Sequence, residues 1–215
     1  MKKKEMERRS YTFDVRAEKR EDGISRISGT PIVYDSPTDI GGWFREIIVQ
    51  GALDGADLRD VPLLVNHNDR MIPVARSRRN NANSTMRLQI TPAGMDIEAD
   101  LDTERNETSR ALYSAVDRGD LDGMSFMFRV ADEKWEDLDT DYPTRYIEKF
   151  EAIGEVSAVT WPAYEATAIQ ARSKEALESA RSALENARQH EHRSVETDSN
   201  ELELAKAKFG FLSRF

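Results

Sequence analysis

In the stretch SYTFDVRA, Tyr11, Phe13, Val15 and Ala17 alternate with polar neighbours, the period of two that a half-buried strand requires. ISRISGTPIVY continues in strand-like fashion, and Gly29 and Pro31 within it predict a bulge or an edge position. WFREIIV (residues 43–49) and VPLLV (61–65) are further short apolar segments of strand length. STMRLQI and GMDIEADL flank TPAG, a Pro–Gly turn signal, and together predict a hairpin.

The period then changes. Across residues 103–119 the apolar or small residues Ala111, Leu112, Ala115 and Val116 fall at helical spacing, and Gly119 is placed as a stop, predicting one amphipathic helix. MSFMFRVA (124–131) reads as a strand with a polar start, and EDLDTDYPT as an acidic turn. RYIEKF and EVSAVTWPAY (155–164) read as the last two strands, closed by Pro162. Many short strands around one internal helix predict a β-rich α+β domain, for which a small barrel is one arrangement.

Beyond residue 172 the composition shifts to Ala, Glu, Arg and Ser, with no aromatic residue before Phe209. Ala176, Leu177, Ala180, Ala183, Leu184 and Ala187 make a thin apolar stripe, enough to pair with another surface but not to fold a domain alone. The closing FGFLSRF is apolar, consistent with a docking peptide or with an end that packs on its own domain. The expected organisation is a basic arm (1–9), a folded domain (10–172) and a helical tail (173–215).

Composition narrows the chemistry. The chain has 215 residues, 33% of them charged and 39% hydrophobic, with a mean hydropathy of −0.67. No apolar run approaches the roughly 20 residues of a membrane span, and the basic start lacks the apolar stretch of a secretory signal. Without cysteine there is no disulfide, thiolate metal site or cysteine nucleophile. A net charge of −9 argues against general nucleic-acid binding. Neither a GxxxxGK[ST] nor a GxGxxG phosphate loop occurs, nor the GxSxG elbow of α/β-hydrolases.

Three residues stand out. His67, in LLVNHND, is the only histidine before residue 190, and so the only imidazole the predicted domain offers as a proton acceptor near neutrality. A structural or solvent-exposed histidine fits that position as well. Ser125 opens an apolar strand behind Gly123, where its hydroxyl is presented either for chemistry or to a backbone partner. A serine nucleophile needs a neighbouring base, and His67 is the available one. Glu155 heads the apolar strand EVSAV, where a carboxylate is costly unless paired; an imidazolium is a suitable partner, and a surface position is the plainer alternative. Asp96, Glu98 and Asp100 share one face of a strand and read as solvated rather than as a cation site. The basic ARSRR reads as a charged loop.

Taken in order, FREIIVQGAL, LLVNHND, GMDIEADL, GDLDGMSFMFRV and IGEVSAVTWPAYEAT resemble the prohead maturation proteases of HK97-type tailed phages over most of residues 10–170. The resemblance implies a serine protease related in fold to the herpesvirus assembly proteases, a compact β-barrel surrounded by helices. By motif position it implies Ser125 as nucleophile, His67 as general base and Glu155 as third member, with no cofactor. It further implies an endopeptidase in the procapsid interior, within the bacterial host cytoplasm. There it would cut the scaffold or scaffold-like arm of the major capsid protein, and itself, with a homo-oligomer on activation and no nucleic acid or membrane as partner. The tail fits a targeting segment or a self-cleaved extension. A non-enzymatic assembly protein that keeps the fold is the rival reading, and the presence of all three residues argues against such decay.

Overall fold

The computed structural model describes residues 6–12, 15–160 and 178–191. Among these described residues, eleven strands and one complete helix follow in chain order. They are β1 (Glu7–Thr12), β2 (Arg16–Lys19), β3 (Ser25–Val33), β4 (Thr38–Ile40), β5 (Phe44–Ile48), β6 (Val61–Val65), β7 (Ala75–Ser77), β8 (Met86–Thr91), β9 (Gly94–Leu101), α1 (Glu107–Asp117), β10 (Gly123–Glu136) and β11 (Thr144–Val159). Residues 178–191 are also helical.

The strands form two open sheets, one of seven strands and one of four in the order β2-β3-β9-β8. The expected barrel is therefore corrected: among the described residues neither sheet closes on itself. β11 organises the larger sheet. It runs antiparallel to β10 along its length, and its other edge pairs in parallel with β5 at Thr144–Ile147 and with β6 at Val156–Ala158. β1 lies outside β10, so the order is β1-β10-β11-β5-β4 with β6 and β7 attached beside β11. One apolar core joins the sheets, drawing Ile27 and Ile32 from β3, Ile97 and Ala99 from β9, and Phe126, Phe128, Phe150 and Val156 from β10 and β11. α1 adds Leu112 and Val116 to it.

Several elements differ from their sequence reading for local reasons. SYTFDVRA contributes to two strands in different sheets rather than one. The two expected last strands are one, because β11 takes in residues 151–154 through register shifts against β10. Its expected stop at Pro162 lies outside the described residues. The helix begins four residues later than predicted, where Asn106 Oδ1 accepts from Thr108 N and Ser109 N at 3.0 and 3.2 Å. Gly119 does end it, at φ 74°. The hairpin β8–β9 and the irregularity between Gly29 and Ile32 form as predicted.

The ends of the expected domain are also structured where described. Glu7 and Arg9, read as part of the basic arm, are buried in β1. Ala180 and Leu184 of the tail pack in a second apolar cluster with Ile40 and Phe44, bordered by Trp43, Trp135 and Leu138.

Candidate active site

β6 runs parallel to β11 until Val65 meets Ala158, and the chain then turns. The turn needs two successive left-handed residues, Asn66 at φ 51° and His67 at φ 56°, an uncommon conformation for residues other than glycine. It is fixed from both sides. Asn66 N donates to Ala158 O at 2.9 Å, and Asn66 Oδ1 accepts from Thr160 N and Thr160 Oγ1 at 3.0 and 2.9 Å. The turn swings the His67 ring back over the end of β11, where Nδ1 contacts Glu155 Oε1.

Glu155 is 4% exposed, so it is no surface carboxylate. Its second oxygen accepts from Ser157 Oγ at 2.8 Å, and the same Oγ accepts from His67 N at 3.2 Å. Glu155 and Ser157 are two residues apart on one strand and therefore share a face of the sheet. With one carboxylate oxygen on the ring and the other on a hydroxyl, Glu155 has both ends directed. An ionised carboxylate accepts only, so this contact places the neutral imidazole's proton on Nδ1 and leaves Nε2 as the proton acceptor.

Ser125 sits opposite Ser157 in the β10–β11 register, on the same face. The structure thus places all three sequence-predicted residues on the β6–β11–β10 side of the large sheet. It joins His67 to Glu155 directly and sets Ser125 one strand over, beside Ser157. Ser125 is fully buried, and its Oγ donates to Arg9 O of β1 at 2.7 Å. A hydroxyl has one proton, so in this arrangement that proton is directed at a backbone carbonyl of β1.

Other features were not read from the sequence. Ser157 stands in the same short segment as Glu155, and its signal was the Glu-X-Ser spacing on a strand. A cluster of charges was hidden by the expectation that charged residues are exposed. Arg9, Glu46 and Arg145 are 5%, 1% and 1% exposed and join Glu7 and Glu133 beneath β1. Asp96, Glu98 and Asp100 take hydrogen bonds from Thr30 and Arg26. Cavities of about 600 and 580 Å³ lie elsewhere, the first beside Arg87 and Glu98, the second beside Arg59 and Arg129.

A buried carboxylate paired with an imidazole is an arrangement that can orient the ring for proton transfer. The model of the caudovirus prohead serine protease family matches residues 11–182. The chain belongs to that family. Neither the curated proteins nor the solved structures gave a match. As a phage prohead protease the chain is a serine protease of capsid maturation, acting inside the procapsid, and capsid proteins are its partners. No helix among the described residues is long and apolar enough to cross a membrane.

Proposed function

We propose that Ser125, His67 and Glu155 form the catalytic triad of an endopeptidase that cleaves the scaffold-like arm of the major capsid protein, and itself, during procapsid maturation. The observation that carries the assignment is the contact of His67 Nδ1 with a buried Glu155. Among the three, only this pairing makes His67 more than an isolated imidazole.

The chemistry follows from the proton positions. With Nδ1–H held by Glu155, Nε2 takes the Ser125 proton as Oγ attacks a peptide carbonyl. The imidazolium is offset by the Glu155 charge, then gives its proton to the leaving amine. A water activated at the same nitrogen hydrolyses the acyl-enzyme and frees Ser125. Glu155 remains ionised throughout and orients the ring. No step calls on a metal or organic cofactor. Ser125 enters this sequence only when its hydroxyl turns from Arg9 O toward His67.

The test is co-expression with the cognate major capsid protein, comparing the unaltered chain, Ser125→Ala and Glu155→Gln by intact mass of both proteins. Trimming of capsid protein or protease by the unaltered chain, lost in Ser125→Ala and slowed by orders of magnitude in Glu155→Gln, is expected. Full-length chains in every sample, with capsids still forming, would move the protein to the scaffolding reading.

A further inference from the structure

β1 occupies the one place that a substrate strand would need. It is the outermost strand of the large sheet on the β10 side, antiparallel to β10, with Arg9 opposite Phe126 and Ser10 opposite Ser125. Its Arg9 carbonyl accepts the hydroxyl of Ser125, and Ser125 has no exposed surface. Extended peptides are commonly bound by adding a strand to a sheet edge, with backbone bonds giving affinity and alternate side chains giving selection. With β1 in place, the β10 edge at Gly123–Phe128 is taken.

The alternate side chains of β1 are held by more than the ladder. Arg9 Nε and Nη2 donate to the two oxygens of Glu46 at 2.6 and 2.7 Å. Arg145 Nη1 and Nη2 donate to the two oxygens of Glu7 at 2.6 and 2.7 Å, and Nη1 reaches Glu46 as well at 3.0 Å. Glu133 takes the remaining face of Arg145, 2.7 Å from Nε. Glu46 and Arg145 thus offer a matched pair of receptors, a carboxylate for a guanidinium and a guanidinium for a carboxylate, spaced for side chains two residues apart.

We propose that β1 is the internal occupant of the substrate-strand position. Glu46 and Arg145 there select an extended peptide carrying a carboxylate two residues before an arginine, whose carbonyl is presented to Ser125. This rests on the reading of Ser125 as nucleophile. Removing β1 without replacement takes from Arg145 and Glu46 the charged partners that β1 supplies, which is unfavourable. The strand therefore yields most readily in exchange for one that restores both contacts. A peptide of reversed order sets like charges together and is rejected by the same groups. Lysine in place of the arginine cannot span both oxygens of Glu46.

The experiment reads covalent labelling of the full chain by an alkyl fluorophosphonate. Ser125 Oγ forms a bond to phosphorus as the P–F bond breaks, its proton passes to His67 and fluoride leaves. Labelling is followed in the unaltered chain and in Glu7→Gln, which weakens the hold on β1. Each is measured with and without a synthetic peptide of residues 5–13, and with the same peptide having the residues at positions 7 and 9 exchanged. The expected result is labelling at Ser125, faster in Glu7→Gln by roughly tenfold or more. The native-order peptide slows it and the exchanged peptide does not. Should Glu7→Gln fail to fold, the peptide competition is read on the unaltered chain alone. Labelling of Ser125 that is equal in both chains and indifferent to peptide would overturn the role of β1 while leaving the nucleophile in place. Equal competition by both peptides would overturn the charge selection. Label on another residue, or on none in any chain, would remove the nucleophile assignment and this proposal with it.

Discussion

The Ser157 hydroxyl donates to Glu155 Oε2 at 2.8 Å, on the oxygen that His67 leaves unused. Because the same hydroxyl accepts the His67 amide at 3.2 Å, one side chain fixes both the carboxylate and the backbone of the histidine turn. Ser157→Ala removes both contacts and leaves the three residues proposed as the triad in place. Loss of one charge-assisted bond of this kind is worth roughly 1.5–3 kcal/mol. Cleavage is expected to slow by roughly tenfold or more in kcat with KM little changed, and Ser157→Thr to recover most of it. A fall in KM-controlled binding with kcat intact would show that Ser157 is not positioning the pair.

The charge cluster under β1 makes the strand acid-sensitive. Burial alone would raise the Glu7 carboxyl, but Arg145 and then Arg9, by charge and hydrogen bonds, outweigh it and hold the group at about 2 against an ordinary 4.5. Glu7 faces Arg9 on its own strand, Arg145 on β11, and through that guanidinium Glu46 on β5 and Glu133 on β10. A lowered folded value means stabilisation that is complete above about pH 4.5 and lost as pH falls toward 2. The whole contribution is about 3 kcal/mol. Denaturant unfolding of the unaltered chain and Glu7→Gln should differ most at neutral pH and converge only as pH falls to about 2. A difference independent of pH would mean that the carboxylate charge is not what holds β1.

Gly94, at the start of β9, has φ 150° and lies so close to β3 that an added Cβ would sit 1.9 Å from Ile32 O. That atom belongs to the backbone, at the irregular stretch between Gly29 and Ile32, and cannot swing aside. Gly94→Ala is expected to destabilise the domain by roughly 2–4 kcal/mol, read as a drop in denaturation midpoint with unchanged slope. Gly23, where a Cβ meets nothing within 4 Å, supplies the control: Gly23→Ala should cost less, from its φ of 86° alone.

The alternation of apolar residues carried most of the strands, and motif order singled out His67, Ser125 and Glu155, the three residues proposed as the triad. Other features could not be read locally. Closure into a barrel or not depends on which distant strands pair, and the parallel joins of β11 to β5 and β6 leave no mark on the residues that make them. Arg145, in RYIEKF, looks like a surface charge until Glu7, from the far end of the sequence, is laid across it. Ser157 was visible as a serine but not as the second partner of Glu155. Its role depends on the β6 turn bringing the His67 amide to the same hydroxyl.

The helical segment 178–191 is the last element whose place can be tested. Its stripe was legible at Ala180 and Leu184, while the surface it covers was not, because that surface is assembled from β4, β5 and the end of β10. Leu184, 8% exposed, packs in a cluster with Ile40 and Phe44, and Phe44 meets Trp135 edge-on at 5.0 Å. Arg188 adds hydrogen bonds to Leu138 O and Thr140 O at 3.1 and 2.8 Å. The helical turns at 178–191 are marginal by themselves, and packing supplies much of their stability. Leu184→Ala removes roughly 2 kcal/mol or more of that packing. The expected outcome is faster tryptic cutting at Arg181 and Arg188 and a red shift in tryptophan emission, with hydrogen exchange across β10 and β11 unchanged. If those strands loosen as well, the segment is an integral part of the domain rather than an element docked on it.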